Sequence, residues 1–264
     1  TPLPWPPGNN SARVRVTERE RSVALLVPVA AILFIPGSGG QGVNTRLISI
    51  FVELLVGLPC LLVLSANLRP AVIPLRSRVS WFWALPLLIS LALAFQLLYA
   101  ILGLLIPVPE AYNTLLWQSW QSGSPTESAL LFLSVLLVAP LMEETFFRGF
   151  VPWLWISRFG RRGSLIVPAL FFALMHLNPW HVAELFLLAL ALGLLRDRLD
   201  SLVPAMALHA LNNLLSLILL QSRASGLQTF INPGPGQLPW LAFLCATPGV
   251  VWLFLLVRTP AHRS

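Results

Sequence analysis

LLVAPLMEETFFRGFVPW, residues 136–153, is the stretch on which the reading of this chain turns. Its flanks are apolar enough to enter a bilayer, yet its middle carries Glu143, Glu144 and Arg148. A charged side chain at the bilayer centre costs at least about 2.5–3.5 kcal/mol, so these three residues are functional candidates. Glu144 and Arg148 stand four apart, share a helix face and pair. Glu143 points about 100° away from Glu144, which leaves its carboxylate free for other work. Pro140, just before the acidic pair, predicts a kink. The plainer reading of the same residues is a buried ion network that ties helices together.

The whole chain shares this apolar character. Of its 264 residues 56% are hydrophobic and only 10% charged, with a mean hydropathy of +0.78. A soluble globule carries about 25% charged residues, so lipid is the solvent here. The net charge is +7, and all 17 basic residues are arginine. Those arginines lie at the ends of apolar runs, where phospholipid headgroups would meet them. They form no single patch, and a nucleic-acid partner is not expected. Cys60 and Cys245 sit inside apolar runs and make no disulfide framework.

A membrane span needs about 20 apolar residues. By that measure the expected spans are 21–36, 46–65, 81–108, 126–157, 164–176, 180–195, 202–220 and 238–257. The expected fold is all-α, a polytopic membrane protein of about eight transmembrane helices around an intramembrane cavity. Residues 1–21, Pro-rich and then Arg-rich, read as a mobile basic cytoplasmic arm, and 22–264 as one transmembrane domain. Residues 109–125 read as an interfacial piece. Trp81, Trp83, Trp153, Trp155, Trp180 and Trp240 fall at span ends, as an aromatic belt requires. With the N-terminus inside, 14 arginines fall in inner segments, two in outer ones, and Arg148 remains within a span. That asymmetry predicts both termini in the cytoplasm.

The other ionisable residues within spans are Glu53, His176, Glu184 and His209, with Asn212 and Asn213 as polar companions. His209 and Asn213 are four apart and share a face. At 1.5 Å of rise per residue, Glu143 and His176 lie roughly 18 Å deep and His209 roughly 12 Å. Three spans thus bring a glutamate, two histidines and an asparagine to similar depth. Two chemistries stay open. Glu143 can act as general base on a water, with His176 sharing the proton and His209 and Asn213 donating to an oxyanion. Alternatively Glu143, His176 and His209 bind zinc. No HExxH and no GxSxG is present.

Three of these stretches resemble the motifs of one family. EETFFR at Glu143–Arg148 resembles its EExxxR, FALMH at Phe172–His176 its FxxxH, and HALNN at His209–Asn213 its HxxxN. The family is the CPBP group of intramembrane proteases, similar to the type II CAAX prenyl endopeptidases. The resemblance implies an all-helical fold of about eight spans around a cytoplasm-facing cavity. It implies that Glu143 and His176 activate water, and that His209 and Asn213 form the oxyanion site. Glu144, Arg148 and Phe172 match the remaining motif positions as supporting residues. The expected activity is an intramembrane glutamic endopeptidase, integral to a prokaryotic plasma membrane. Its expected partners are the bilayer and a membrane-embedded or membrane-anchored protein or peptide substrate. No cofactor is expected, because His209 with Asn213 reads better as a donor pair than as metal ligands. A non-catalytic scaffold or immunity factor of the same fold, and a secondary transporter, are the competing readings. The transporter would show inverted repeats, and the sequence has none.

The arginine asymmetry carries its own test. Cysteine probes placed at Trp5 or His262 should be protected in whole cells, and probes at Gln118 or Gln228 should react. An externally labelled C-terminus would mean an odd number of spans.

Overall fold

The computed structural model describes residues 42–63, 72–77, 79–221, 231 and 239–258. The expected basic arm and first span lie outside the described residues. Within them the regular structure is helical. Helix α1 is Val43–Val63, α2 is Trp81–Leu105 and α3 is the short Glu110–Ser119. Then comes one long, interrupted helical run: α4 (Pro125–Leu133), a π segment (Ser134–Val138), α5 (Ala139–Glu144), a second π segment (Thr145–Phe150) and α6 (Val151–Met175). Helices α7 (Val182–Leu199), α8 (Val203–Gln221) and α9 (Trp240–Arg258) complete the described structure.

The expected kink at Pro140 takes a different form. Two π turns bracket α5, one on each side of the acidic pair. A π turn inserts a residue into the ladder, and such insertions recur at functional sites. Farther on, α6 breaks at Gly160, whose φ of +65° and ψ of −175° are not helical. Glycine takes such a backbone without the Cβ clash that other residues meet. This break replaces the loop expected between spans 126–157 and 164–176.

Among the described residues, four helices are long and apolar enough to cross a membrane: 81–105, 125–156, 203–220 and 240–258. The expectation of eight crossings is therefore only partly met. Helix α7 covers the expected span 180–195 but carries Glu184, Arg196, Asp197 and Arg198. The part of α6 beyond Gly160 is too short to cross alone. Residues 46–65 fall in and just beyond α1. Residues 109–125 contain α3, as an interfacial segment would.

The helices are joined by apolar packing and by a few polar staples. One core gathers Phe146, Phe147, Phe150, Phe172 and Ala189; another joins α2, α7 and α8 through Leu88, Leu91, Leu192 and Leu208. Gln96 of α2 donates its amide to Asn212 Oδ1 at 2.9 Å and to Ser216 Oγ at 3.0 Å. Asn212 is thus fastened to α2, which leaves Asn213 as the member of the doublet available to a site. At the other end Arg46 donates to the carbonyls of Ser119 and Gln121 and pairs with Glu127 at 3.6 Å.

Helices α2 and α9 pack tightly at Gly249. Ser90 Oγ accepts the Gly249 N–H at 2.8 Å and donates to the Cys245 carbonyl, so a hydroxyl stands inside the α9 ladder just after Pro248. A Cβ on Gly249 would collide with the backbone of Leu87 and Leu91. Gly249→Ala should therefore cost about 1–3 kcal/mol and lower the melting temperature in detergent. Gly103→Ala is the control: a Cβ there meets nothing, and its helix should gain slightly. Equal melting temperatures for Gly249→Ala and the parent would show that the two helices do not pack this closely.

Candidate active site

The acidic pair lies on α5 with its flanking π turns, the segment that α1, α6 and α8 surround. Glu144 is fully buried, with 0% exposure. Its Oε1 accepts from Arg148 Nη1 at 2.8 Å and from His209 Nδ1 at 2.9 Å. One carboxylate oxygen thus ties the EETFFR and HALNN stretches together. The spacing predicted the Glu144–Arg148 pair, and the structure has it. The bond to His209 was not legible, because nothing in the sequence sets the rotation of α8 against α5.

Arg148 has two further partners. Its Nη2 donates to the Ala189 carbonyl at 3.3 Å, and its guanidinium lies 4.5 Å from the centre of the Phe172 ring. A buried cation over a ring face is attracted to the ring quadrupole. Phe172 is 1% exposed and sits at the crossroads. The His176 ring is 4.6 Å from it, and the His209 ring meets it edge-on at 5.9 Å. Phe172 therefore has a structural meaning: it spaces Arg148, His176 and His209 about one apolar ring.

The bond to Glu144 fixes the role of each His209 nitrogen. Nδ1–H faces Glu144, so Nε2 turns toward Glu143, whose Oε2 lies 3.8 Å away. Glu143 Oε2 is buried and has no hydrogen-bond partner among the described residues. A buried carboxylate oxygen without a protein donor retains its capacity to accept from water or substrate. Glu144 Oε2 is likewise buried without a partner, so what separates the two carboxylates is that Glu144 Oε1 accepts two hydrogen bonds and Glu143 accepts none from the described residues.

His176 caps α6. Its Nδ1–H donates to the Phe172 carbonyl at 2.8 Å, which leaves Nε2 as the available nitrogen. Leu177 follows at φ +49°, a left-handed backbone that turns the chain sharply. No hydrogen bond or ion pair joins His176 to Glu143 among the described residues, so a shared water would have to bridge them. Asn213 reaches the same segment from α8: its Nδ2 donates to the Val135 carbonyl at 2.9 Å.

Two acidic residues join this picture. Glu53 of α1 lies within electrostatic range of Glu143. It shares a helix face with Gly57, where a Cβ would come within 2.7–2.9 Å of Met142. Glu53 was visible in the sequence as a carboxylate within a span, but its neighbour was not. Glu184 pairs with His181 at 3.5 Å and lies within electrostatic range of His176. His181 is buried and stacks on Tyr99 at 4.8 Å.

A hollow between α6 and α7 is lined by Phe147, Arg148, Pro168, Ala189, Arg161 and Asp197, and Glu143, His176 and His209 are not part of its lining. Arg148 forms part of its wall; the aromatic cluster of Phe147 and Phe172 fills the ground between it and the histidines. Among the described residues no three His, Cys, Asp or Glu side chains converge as metal ligands. Glu143, His176 and His209 are not such a group as placed.

The family model for type II CAAX prenyl endopeptidase Rce1-like proteins matches residues 125–215. The match spans all three motifs and runs from α4 into α8. The resemblance drawn from those motifs thus holds over the segment that contains them. No curated protein and no solved structure matches the chain significantly.

Because Glu144 and Arg148 are both buried, breaking the pair strands a charge. Arg148→Ala should cost about 3–5 kcal/mol. Glu143→Gln removes no hydrogen bond given by the protein and should leave the melting temperature near that of the parent. Equal melting temperatures for Arg148→Ala and the parent in one detergent would show Arg148 to be solvated or unpaired.

Proposed function

We propose that this Rce1-like chain is an intramembrane endopeptidase in which Glu143 activates a water against a peptide carbonyl. The observation that carries the reading is the contrast within the acidic pair. Glu144 accepts hydrogen bonds from both Arg148 and His209 on its Oε1, whereas Glu143 accepts none from the described residues and turns its buried Oε2 toward His209 Nε2. Two adjacent carboxylates in such different surroundings suit different tasks, one structural and one chemical.

Glu143 takes a proton from the water as the oxygen attacks the carbonyl carbon, and the carbonyl oxygen becomes an oxyanion. His176 Nε2 holds the water on its other side through its lone pair, and the proton that Glu143 has taken passes to the leaving amine as the carbon–nitrogen bond breaks. His209 Nε2 donates to the oxyanion when the ring is protonated, a form flanked by the Glu143 and Glu144 carboxylates. The Asn213 amide supplies the second donor. Such donors act most strongly where water is excluded, as it is among Phe147, Phe172 and the surrounding apolar side chains. The substrate is a membrane-embedded or membrane-anchored protein or peptide tail, cut at the level where α5, α6 and α8 converge. The mechanism needs no metal.

Purified Glu143→Gln should lose cleavage of a substrate that the parent cuts, by at least about 10²-fold, since the general base is gone. The parent treated with a strong chelator should keep its activity. Wild-type turnover by Glu143→Gln would remove the assigned base. Loss of activity on chelation, restored by stoichiometric zinc, would replace this mechanism with a metal-dependent one.

A further inference from the structure

The Val135 carbonyl is an orphan of its own helix. In an α ladder it would accept the N–H of Ala139, four residues on. The first π segment diverts that N–H to the Ser134 carbonyl. In a π ladder Val135 would accept from residue 140. That residue is Pro140, which has no N–H. Neither ladder supplies a donor, three residues before the acidic pair begins. The donor comes instead from another helix: Asn213 Nδ2 gives a hydrogen bond to Val135 O at 2.9 Å.

An amide nitrogen carries two N–H bonds. One of Asn213's is committed to Val135, and that bond fixes the plane of the amide. The direction of the second N–H is fixed with it. A donor serves an oxyanion only when it is aimed before the charge develops. An Asn side chain free to turn about its terminal torsion, which is broad and soft, would spend little time in the right direction.

We propose that Pro140 is a positioning residue: by denying Val135 a backbone donor, it holds the Asn213 amide in place and aims its second N–H into the site beside Glu143 and His209. The catalytic consequence rests on the protease reading above; the latch itself does not. Ala139 and Pro140 also open α5, so the π turn that frees the Val135 carbonyl sets the rotation of the turn bearing Glu143. Base and oxyanion donor are thereby registered to one another through a single carbonyl.

The test restores the missing donor. In Pro140→Ala the new N–H can serve Val135, and Asn213 is released. The expected result is a fall in kcat of about tenfold, a KM within about twofold, and a melting temperature equal to or above that of the parent. On an Asn213→Ala background the same substitution should change kcat by less than about twofold, because its effect runs through the amide. A second readout needs no turnover. In ¹⁵N-labelled Glu143→Gln protein, the Asn213 side-chain amide protons should exchange with solvent at least about fivefold faster once Pro140→Ala is added. Unchanged exchange overturns the latch whether or not the protein cleaves anything. Faster exchange with unchanged kcat, or a tenfold loss that persists without Asn213, overturns the aiming role. Failure of the protease reading shows separately, as wild-type turnover by Glu143→Gln.

Discussion

Glu144 Oε1 holds two donors at once, Arg148 Nη1 at 2.8 Å and His209 Nδ1 at 2.9 Å, and most of the site depends on that oxygen. Removing a carboxylate and a guanidinium from water is expensive, and burial alone would make the pair a burden. Here the charges are compensated on several sides. Arg148 also reaches the Ala189 carbonyl and lies over Phe172. The histidine joins the network through a directional bond that fixes which of its nitrogens faces Glu143. The cost of burial is offset by definition of geometry: α5, α6, α7 and α8 are pinned to one point.

The irregularities of the long helical run serve the same end. An uninterrupted α-helix from 125 to 175 would present its side chains at an even 100° per residue. Two π turns and the break at Gly160 change that progression at three places. The first lies next to a proline that cannot complete either ladder. The second contains Arg148 and follows directly after Glu144, so the ion pair spans the junction between α5 and the second π turn. Irregular backbone at membrane depth persists only where neighbouring groups satisfy the carbonyls it frees. Asn213 does this for Val135, and Ser90 plays the corresponding part beside Pro248 in α9.

Away from the site, the polar residues of the interior divide into staples and reagents. Gln96, Asn212 and Ser216 satisfy one another across α2 and α8. Glu127 takes backbone N–H groups from Gly42 and Gly123 while pairing with Arg46, and so fastens the start of α4 to the start of α1. Glu143 differs from all of these in having a buried oxygen that the described protein does not use.

What the sequence by itself determined follows from properties that act locally or along one helix. Composition placed the chain in lipid, since too few polar residues exist to cover it in water. The four-residue spacing placed Arg148 beside Glu144 and set Glu143 apart, because helical periodicity needs no tertiary information. The three motif spacings, read together, marked the segment that the Rce1-like family model later matched. Tertiary structure decided what depends on the rotation and closeness of one helix against another. It put His209 on Glu144, fastened Asn212 to Gln96, turned Asn213 to Val135 and brought Glu53 toward Glu143. It also set two π turns around the acidic pair, and among the described residues it gave four helices the length and apolarity of a span. Those outcomes were not legible because a side chain's partner across an interface is chosen by packing, and packing is a property of all the helices at once.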